Sequence, residues 1–211
     1  MPDAFFFIFL HPGKSMAYIK MISEDEAQGD VKSLYNDYLA PWGGVDNILK
    51  IHGLLPHTLK PHYDLYKSAM FGKGPLTRRQ REMIAVVVSH ANRCQYCIHH
   101  HSDALYRVTK DRKLSEAMRT DYRLAETTKG ERVMLEFAEQ LTREPGSDQF
   151  PFVQRLREHH FTDDAILHIT LIISYFNFVN RIANGLGVEL EGYWKEDGYS
   201  DPAKPMAHDD R

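Results

Sequence analysis

The sequence predicts an all-α fold, and three observations carry that prediction. Apolar residues recur at i, i+3, i+4 and i+7 in most segments, Ser/Thr-x-x-Glu/Gln capping boxes stand ahead of three of them, and Gly or Pro marks where the periodic stretches stop. A chain of 211 residues that is 43% hydrophobic and 26% charged suits one domain with a sizeable core.

Taken in order, Val31, Leu34, Tyr35, Tyr38 and Leu39 form one helical stripe behind a Ser23 to Glu26 capping box, and Pro41, Gly43 and Gly44 end it. Leu59, Tyr63, Tyr66 and Met70 mark a long second helix stopped by Gly72 and Gly74. Thr77 with Gln80 opens the run Met83 to Val88, which is β-branched enough to suggest a strand. The segment continues unbroken for about fifteen residues, and that length decides for a buried helix. Ala104, Leu105 and Val108 continue another helix, and Thr128 with Glu131 caps one carrying Val133, Leu135, Phe137, Ala138 and Leu141, closed by Pro145 and Gly146. The last runs from about Asp163 to Ala183 through ILHITLIISYFNFV, too apolar all round for a surface, which places it centrally or in a subunit interface. A shift of 85 residues lays Thr77, Ile84, Ser89 and Asn92 on Thr162, Ile169, Ser174 and Asn177, the pattern of two similar helical units.

The first 15 residues, MPDAFFFIFLHPGKS, hold an apolar run without the charged start, length or cleavage site of a signal peptide. We expect 1–15 to be a disordered extension, 16–195 a helical domain and 196–211 a flexible tail. No stretch approaches the roughly 18 apolar residues of a membrane span, and Lys plus Arg total 26 against 29 for Asp plus Glu. Neither a membrane nor nucleic acid is therefore an expected partner. The only two cysteines, Cys94 and Cys97, do not make a secreted disulfide framework; such a pair reads as redox-active or metal-binding in a reducing compartment, here the cytoplasm.

Those cysteines lie in NRCQYCIHHHSDAL, residues 92 to 105. On a helix, Cys94, Cys97 and His101 are three, four and seven apart and form one stripe. A helix starting at Asn92 or Arg93 would put both thiols in its first turn, where unpaired N–H groups and the macrodipole favour an anion. A free thiol titrating near 8.5 is only about 3% ionised at pH 7, and lowering that value to about 7 raises the reactive fraction roughly 15-fold. A positioned base contributes about 10² to 10⁴ and is the larger effect. His101 is one candidate base. Glu82, twelve residues before Cys94 in an apolar helix, is the second.

Glu82, Cys94-x-x-Cys97 and His101, at this spacing in a helical chain, resemble the AhpD-like alkylhydroperoxidase core of the carboxymuconolactone decarboxylase superfamily. Residues 76 to 105 carry the specific motif; NILKIHGLLP at 47 to 56 and NFVNRIANGLGVELEG at 177 to 192 extend the likeness to its peroxidase-related branch. The resemblance implies that Cys97 attacks the peroxide, that Cys94 resolves the sulfenic acid to a disulfide, and that His101 and Glu82 relay protons. It also implies a hydroperoxide substrate, a thiol or lipoyl-type protein reductant and a homo-oligomer, with no cofactor. Tyr96 stands where the family has a histidine between its cysteines; a phenol is a poor acid or base near neutrality, and His90, His99 or His100 could take its place.

Each residue also has a plainer reading. The thiols could be inert core residues, Glu82 could simply pair with Arg78, Arg79 or Arg81, and His99 and His100 read by default as solvated. Two other functions stay open: thiol–disulfide exchange without peroxidase activity, and a helical oligomer binding a metal through both thiolates and His101 with Glu82 or His90 as a fourth ligand.

Overall fold

In the computed structural model, which describes residues 17–39, 44–194 and 199–200, every regular element is helical. In chain order these are α1 (Gly29–Asp37), α2 (Asn47–Lys50) running into a 3₁₀ turn (Ile51–Leu54), α3 (Pro56–Phe71), α4 (Arg78–Ala91), α5 (Gln95–Thr109), α6 (Arg112–Thr120), a 3₁₀ turn (Tyr122–Leu124), α7 (Lys129–Arg143), α8 (Phe150–Glu158) and α9 (Asp163–Leu186).

α4 is the centre, packing against α5, α7 and α9. Every residue from Arg81 to Ser89 is buried, so its apolar run has no solvent face to alternate with; this is why the run looks strand-like in sequence. The Thr77 capping box forms as expected, with the hydroxyl accepting the Gln80 N–H at 3.3 Å and the Gln80 side chain accepting the Thr77 N–H at 3.0 Å. Thr128 and Glu131 repeat the arrangement on α7. We expect Thr77→Ala to destabilise the protein by about 1 kcal/mol, lowering the thermal midpoint by about 2–4 °C for a chain of this size; calorimetry checks this.

α9 buries Ile169, Ile172, Ile173, Phe176 and Val179, while Leu167, Leu171 and Phe178 stay exposed at 59, 46 and 45%. Among the described residues it is the one helix long and apolar enough to cross a membrane, yet its buried side packs on α3, α4 and α7 as a core helix does. Thr162 precedes it as Thr77 precedes α4, and Asn92 donates to Asn177, its equivalent under the 85-residue shift, at 3.1 Å. The two segments then differ: α4 stops at Ala91 and Arg93 turns left-handed with φ 55°, whereas α9 runs on to Gly187.

Several expectations need correction. The Ser23–Glu26 box forms, but it closes a turn, and α1 begins only at Gly29, whose φ of 52° breaks the path between them. α1 stops at Asp37, leaving Tyr38 buried and Leu39 exposed; residues 40–43, which include the expected stop at Pro41 and Gly43, lie outside the described residues. Three helices were not read from sequence: α2 is only four residues long, and α6 and α8 bury few apolar side chains, leaving little periodic signal. Within the expected C-terminal tail, Tyr199 and Ser200 are buried. The Ser200 hydroxyl donates to Asp103 at 2.5 Å, and the Arg112 guanidinium lies 4.3 Å from the Tyr199 ring centroid. The expected extension at 1–15 and the rest of the tail, at 196–198 and 201–211, lie outside the described residues.

Candidate active site

α4 and α5 are joined by only Asn92, Arg93 and Cys94, so the chain doubles back and sets the two helices side by side. The reversal brings Glu82 on α4 against His101 on α5. The imidazole Nδ1–H donates to Glu82 Oε2 at 2.7 Å, and Arg78, one turn before Glu82, donates through Nε to Oε1 at 2.7 Å. Glu82 thus pairs with Arg78, as its plainer reading expects, and also accepts from the histidine. Glu82 is fully buried. Burial alone would push its carboxyl up, but Arg78 and His101 outweigh that and hold it below the usual carboxylate range.

Cys94 occupies the N-cap of α5 and Cys97 the third helical position, so both thiols sit at the electropositive end of a helix that begins two residues after Arg93. They are free and buried. The Cys97 thiol donates to Cys94, and this bond, helped against burial by the Cys97 backbone N–H and the nearby His100, holds Cys94 below the ordinary thiol value. Burial and the same bond push Cys97 well up, opposed by a hydrogen bond from Asn180. Of the two, Cys94 is therefore the more readily ionised and Cys97 the one that keeps its proton, the reverse of the order expected for an attacking sulfur at 97.

A second buried carboxylate, not foreseen in the sequence, lies behind the thiols. Glu191 accepts from Asn47 N–H at 2.8 Å, Tyr96 Oη at 2.7 Å, His100 Nε2 at 3.0 Å and Trp194 Nε1 at 3.0 Å. His100, expected to be solvated, is buried here; burial would lower its pKa, but Glu191 outweighs that and raises it. His100 is the histidine that comes nearest to replacing the missing one, because His90 is exposed and His99 is bound to the Gln95 carbonyl and Arg119. Nothing in the local sequence signals Glu191, which stands 91 positions away in an irregular segment.

His100, with its raised pKa, stabilises the fold fully below about 6.5 and loses that contribution as pH rises through its folded value; Glu191, held low, contributes above about 4.3 and loses it only in acid. Removing one partner of a buried pair typically costs about 3–5 kcal/mol. Glu191→Gln should accordingly destabilise the protein by about that much at pH 5.5, and by less at pH 9, in urea unfolding.

Cys97 lines a cavity with Tyr66, Tyr96, His101, Tyr175, Phe176 and Val179, and His62 and Asp46 also border it; Cys94 does not. The structure thus brings together three of the four expected site residues through contacts at or beside this cavity, with Cys94 bonded to Cys97 behind it. Asn180, His62 and Tyr175 were missed, because each reads in sequence as an ordinary position on a helix. The metal alternative gains no support: among the described residues no group of three His, Cys, Asp or Glu side chains could hold an ion.

Residues 56–139, which span Glu82, both cysteines and His101, match the carboxymuconolactone decarboxylase family. The chain is similar to an uncharacterised peroxidase-related protein from Silicibacter sp. TM1040 (29% identity, TM-score 0.79, covering 87% of this chain and 96% of that one). It is also similar to an uncharacterised peroxidase-related protein with an alkylhydroperoxidase AhpD core from Ralstonia eutropha JMP134 (25% identity, TM-score 0.78, covering 85% and 95%). The debrominase Bmp8, at 20% identity and TM-score 0.67 over 85% of this chain and 94% of its own, shares the fold. No curated protein matches the chain. Over residues 56–139 the chain matches the carboxymuconolactone decarboxylase family, and over most of its length it is similar to peroxidase-related proteins with an AhpD-like fold.

Proposed function

We propose that the protein is a peroxide-reducing thiol enzyme that cycles Cys94 and Cys97 between dithiol and disulfide. The observation that carries this reading is that Cys97 alone of the two thiols borders the cavity, with its partner sulfur one turn back and the Glu82–His101 pair beside it. A hydroperoxide in the cavity meets Cys97. The proton of Cys97 passes along the S–H···S bond to Cys94, the freed thiolate attacks the terminal oxygen, and the O–O bond breaks to give a sulfenic acid and an alcohol. Cys94 then displaces water from that sulfenic acid, forming the disulfide before further oxidation can occur. Asn180 stabilises the Cys97 anion during attack. Glu82 holds His101 in the tautomer that keeps Nδ1 protonated, leaving Nε2 as the ring's basic atom for proton relay.

The reading includes reduction of the disulfide by a thiol or lipoyl-type protein in a reducing cytoplasm. It also includes assembly of several copies, for which Leu167, Leu171 and Phe178 on α9 supply exposed apolar surface. Mass spectrometry after one equivalent of an organic hydroperoxide tests the central claim. The expected product is an intramolecular 94–97 disulfide; unmodified thiols, in a protein that still exchanges with small disulfides, would instead support thiol–disulfide exchange without peroxidase activity.

A further inference from the structure

A file of polar side chains leaves the thiol cavity through Tyr175. Tyr175 on α9 borders the cavity with Cys97, and its hydroxyl lies 3.0 Å from His62 Nε2 on α3. His62 Nδ1 lies 2.9 Å from His52 Nε2, and His52 Nδ1 lies 2.8 Å from Thr58 Oγ1, which is also 2.8 Å from the Leu55 carbonyl. Tyr175 and His62 are buried, whereas His52 and Thr58 are partly exposed, so the file runs from the reaction cavity to solvent without a gap.

Resting on the peroxidase reading above, we infer that Tyr175, His62, His52 and Thr58 form the proton route between solvent and Cys97, with Tyr175 the catalytic end and the two histidines the relay.

Proton balance requires such a route. The attacking sulfur must be a thiolate; with Cys94 the more readily ionised partner, oxidation from the thiolate form reads Cys94–S⁻ + Cys97–SH + ROOH + H⁺ → disulfide + ROH + H₂O, so one proton must reach the cavity in each turnover. Reduction by a dithiol returns it: disulfide + R′(SH)₂ → Cys94–S⁻ + Cys97–SH + R′S₂ + H⁺.

The file supports both directions. With Thr58 donating to the Leu55 carbonyl, His52 Nδ1–H donates to Thr58, His62 Nδ1–H to His52 Nε2, and the Tyr175 hydroxyl to His62 Nε2. All protons then point outward, and the Tyr175 oxygen can accept one from the cavity. With Thr58 donating to His52 instead, every bond reverses and Tyr175 offers its proton to the leaving alkoxide. Each passage of a proton converts one polarity into the other, so the outward leg of reduction resets the file for the inward leg of oxidation. The imidazoles must stay neutral for this. Burial lowers His52, and burial with His52 alongside lowers His62 to about 3. The titratable neighbours of Tyr175 are His62, Tyr66, Cys97 and Tyr63.

The test is stopped-flow oxidation of the reduced protein by tert-butyl hydroperoxide, with a pH indicator in weak buffer. Wild type should take up one proton per disulfide at the rate of oxidation. Tyr175→Phe, which keeps the ring, and His62→Ala should each slow oxidation about a hundred-fold, and free imidazole should restore His62→Ala but not Tyr175→Phe, a rescue that a purely structural role would not give. His52→Gln, at the partly exposed end, guards against misfolding of the buried variants and should show the same loss. Should wild type not react with hydroperoxide, the peroxidase reading fails but the route is still tested. Protein oxidised with diamide and reduced by dithiothreitol should then release its proton more slowly in the same variants. Folded variants with unchanged rates in both half-reactions, or a His62→Ala defect that imidazole does not relieve, overturn the inference.

Discussion

Cys97→Ser is expected to abolish hydroperoxide turnover, while Cys94→Ser is expected to permit one oxidation event and then stall. The expected asymmetry rests on placement: Cys97 borders the cavity, whereas Cys94 has no exposed surface and does not line it. Serine at 97 removes the nucleophile altogether. Serine at 94 leaves a sulfenic acid with no thiol to resolve it, so excess peroxide should carry Cys97 on to the irreversible sulfinic acid. Intact-mass measurements would show an increment of one oxygen, then two, in Cys94→Ser, and no change in Cys97→Ser. Equal residual turnover in the two variants would count against these roles.

Glu82→Gln should combine a kinetic and a structural defect. The amide keeps the shape but loses the charge that orients His101 and neutralises Arg78. Loss of the positioned base is worth about 10² to 10⁴ in rate, and breaking the buried pair costs about 3–5 kcal/mol. Because Glu82 is held below the ordinary carboxylate range, its contribution is present above about 4.3 and fades as pH falls through its folded value. The wild-type stability advantage over Glu82→Gln should therefore be full at pH 7 and shrink toward pH 3. Urea unfolding at both pH values and the rate of Cys97 oxidation at pH 7 measure the two defects separately.

Both predictions rest on residues that short-range spacing exposes. Cys94, Cys97 and His101 are neighbours on one helix, and Glu82 stands out because a carboxylate in an apolar run needs a partner. What spacing does not carry is contact between distant segments. Glu191 binds His100 from 91 positions away and His62 meets Tyr175 across 113, and neither residue breaks its own local pattern. The order of the two thiols is hidden for a related reason: first-turn placement favours an anion at either sulfur, and only burial together with the S–H···S bond makes Cys94 the more readily ionised. Among the helices, α4 and α7 were legible because their capping boxes and apolar faces coincide. α6 and α8 were not, because Met118 with Leu114 and Leu156 alone are too few to set a period.

The left-handed turn at Arg93 does more than reverse the chain. In α5 the first residue whose amide finds an in-helix carbonyl is Ile98, bonded to Cys94 at 2.9 Å; the amides of residues 95 to 97 precede that ladder. Had helix continued through position 93, as α9 continues through Val179 and Ile182, those amides would have been spent on carbonyls four residues back. One strained peptide, costing on the order of 1–2 kcal/mol, therefore separates a helix that serves only as scaffold from one that can hold negative charge on sulfur.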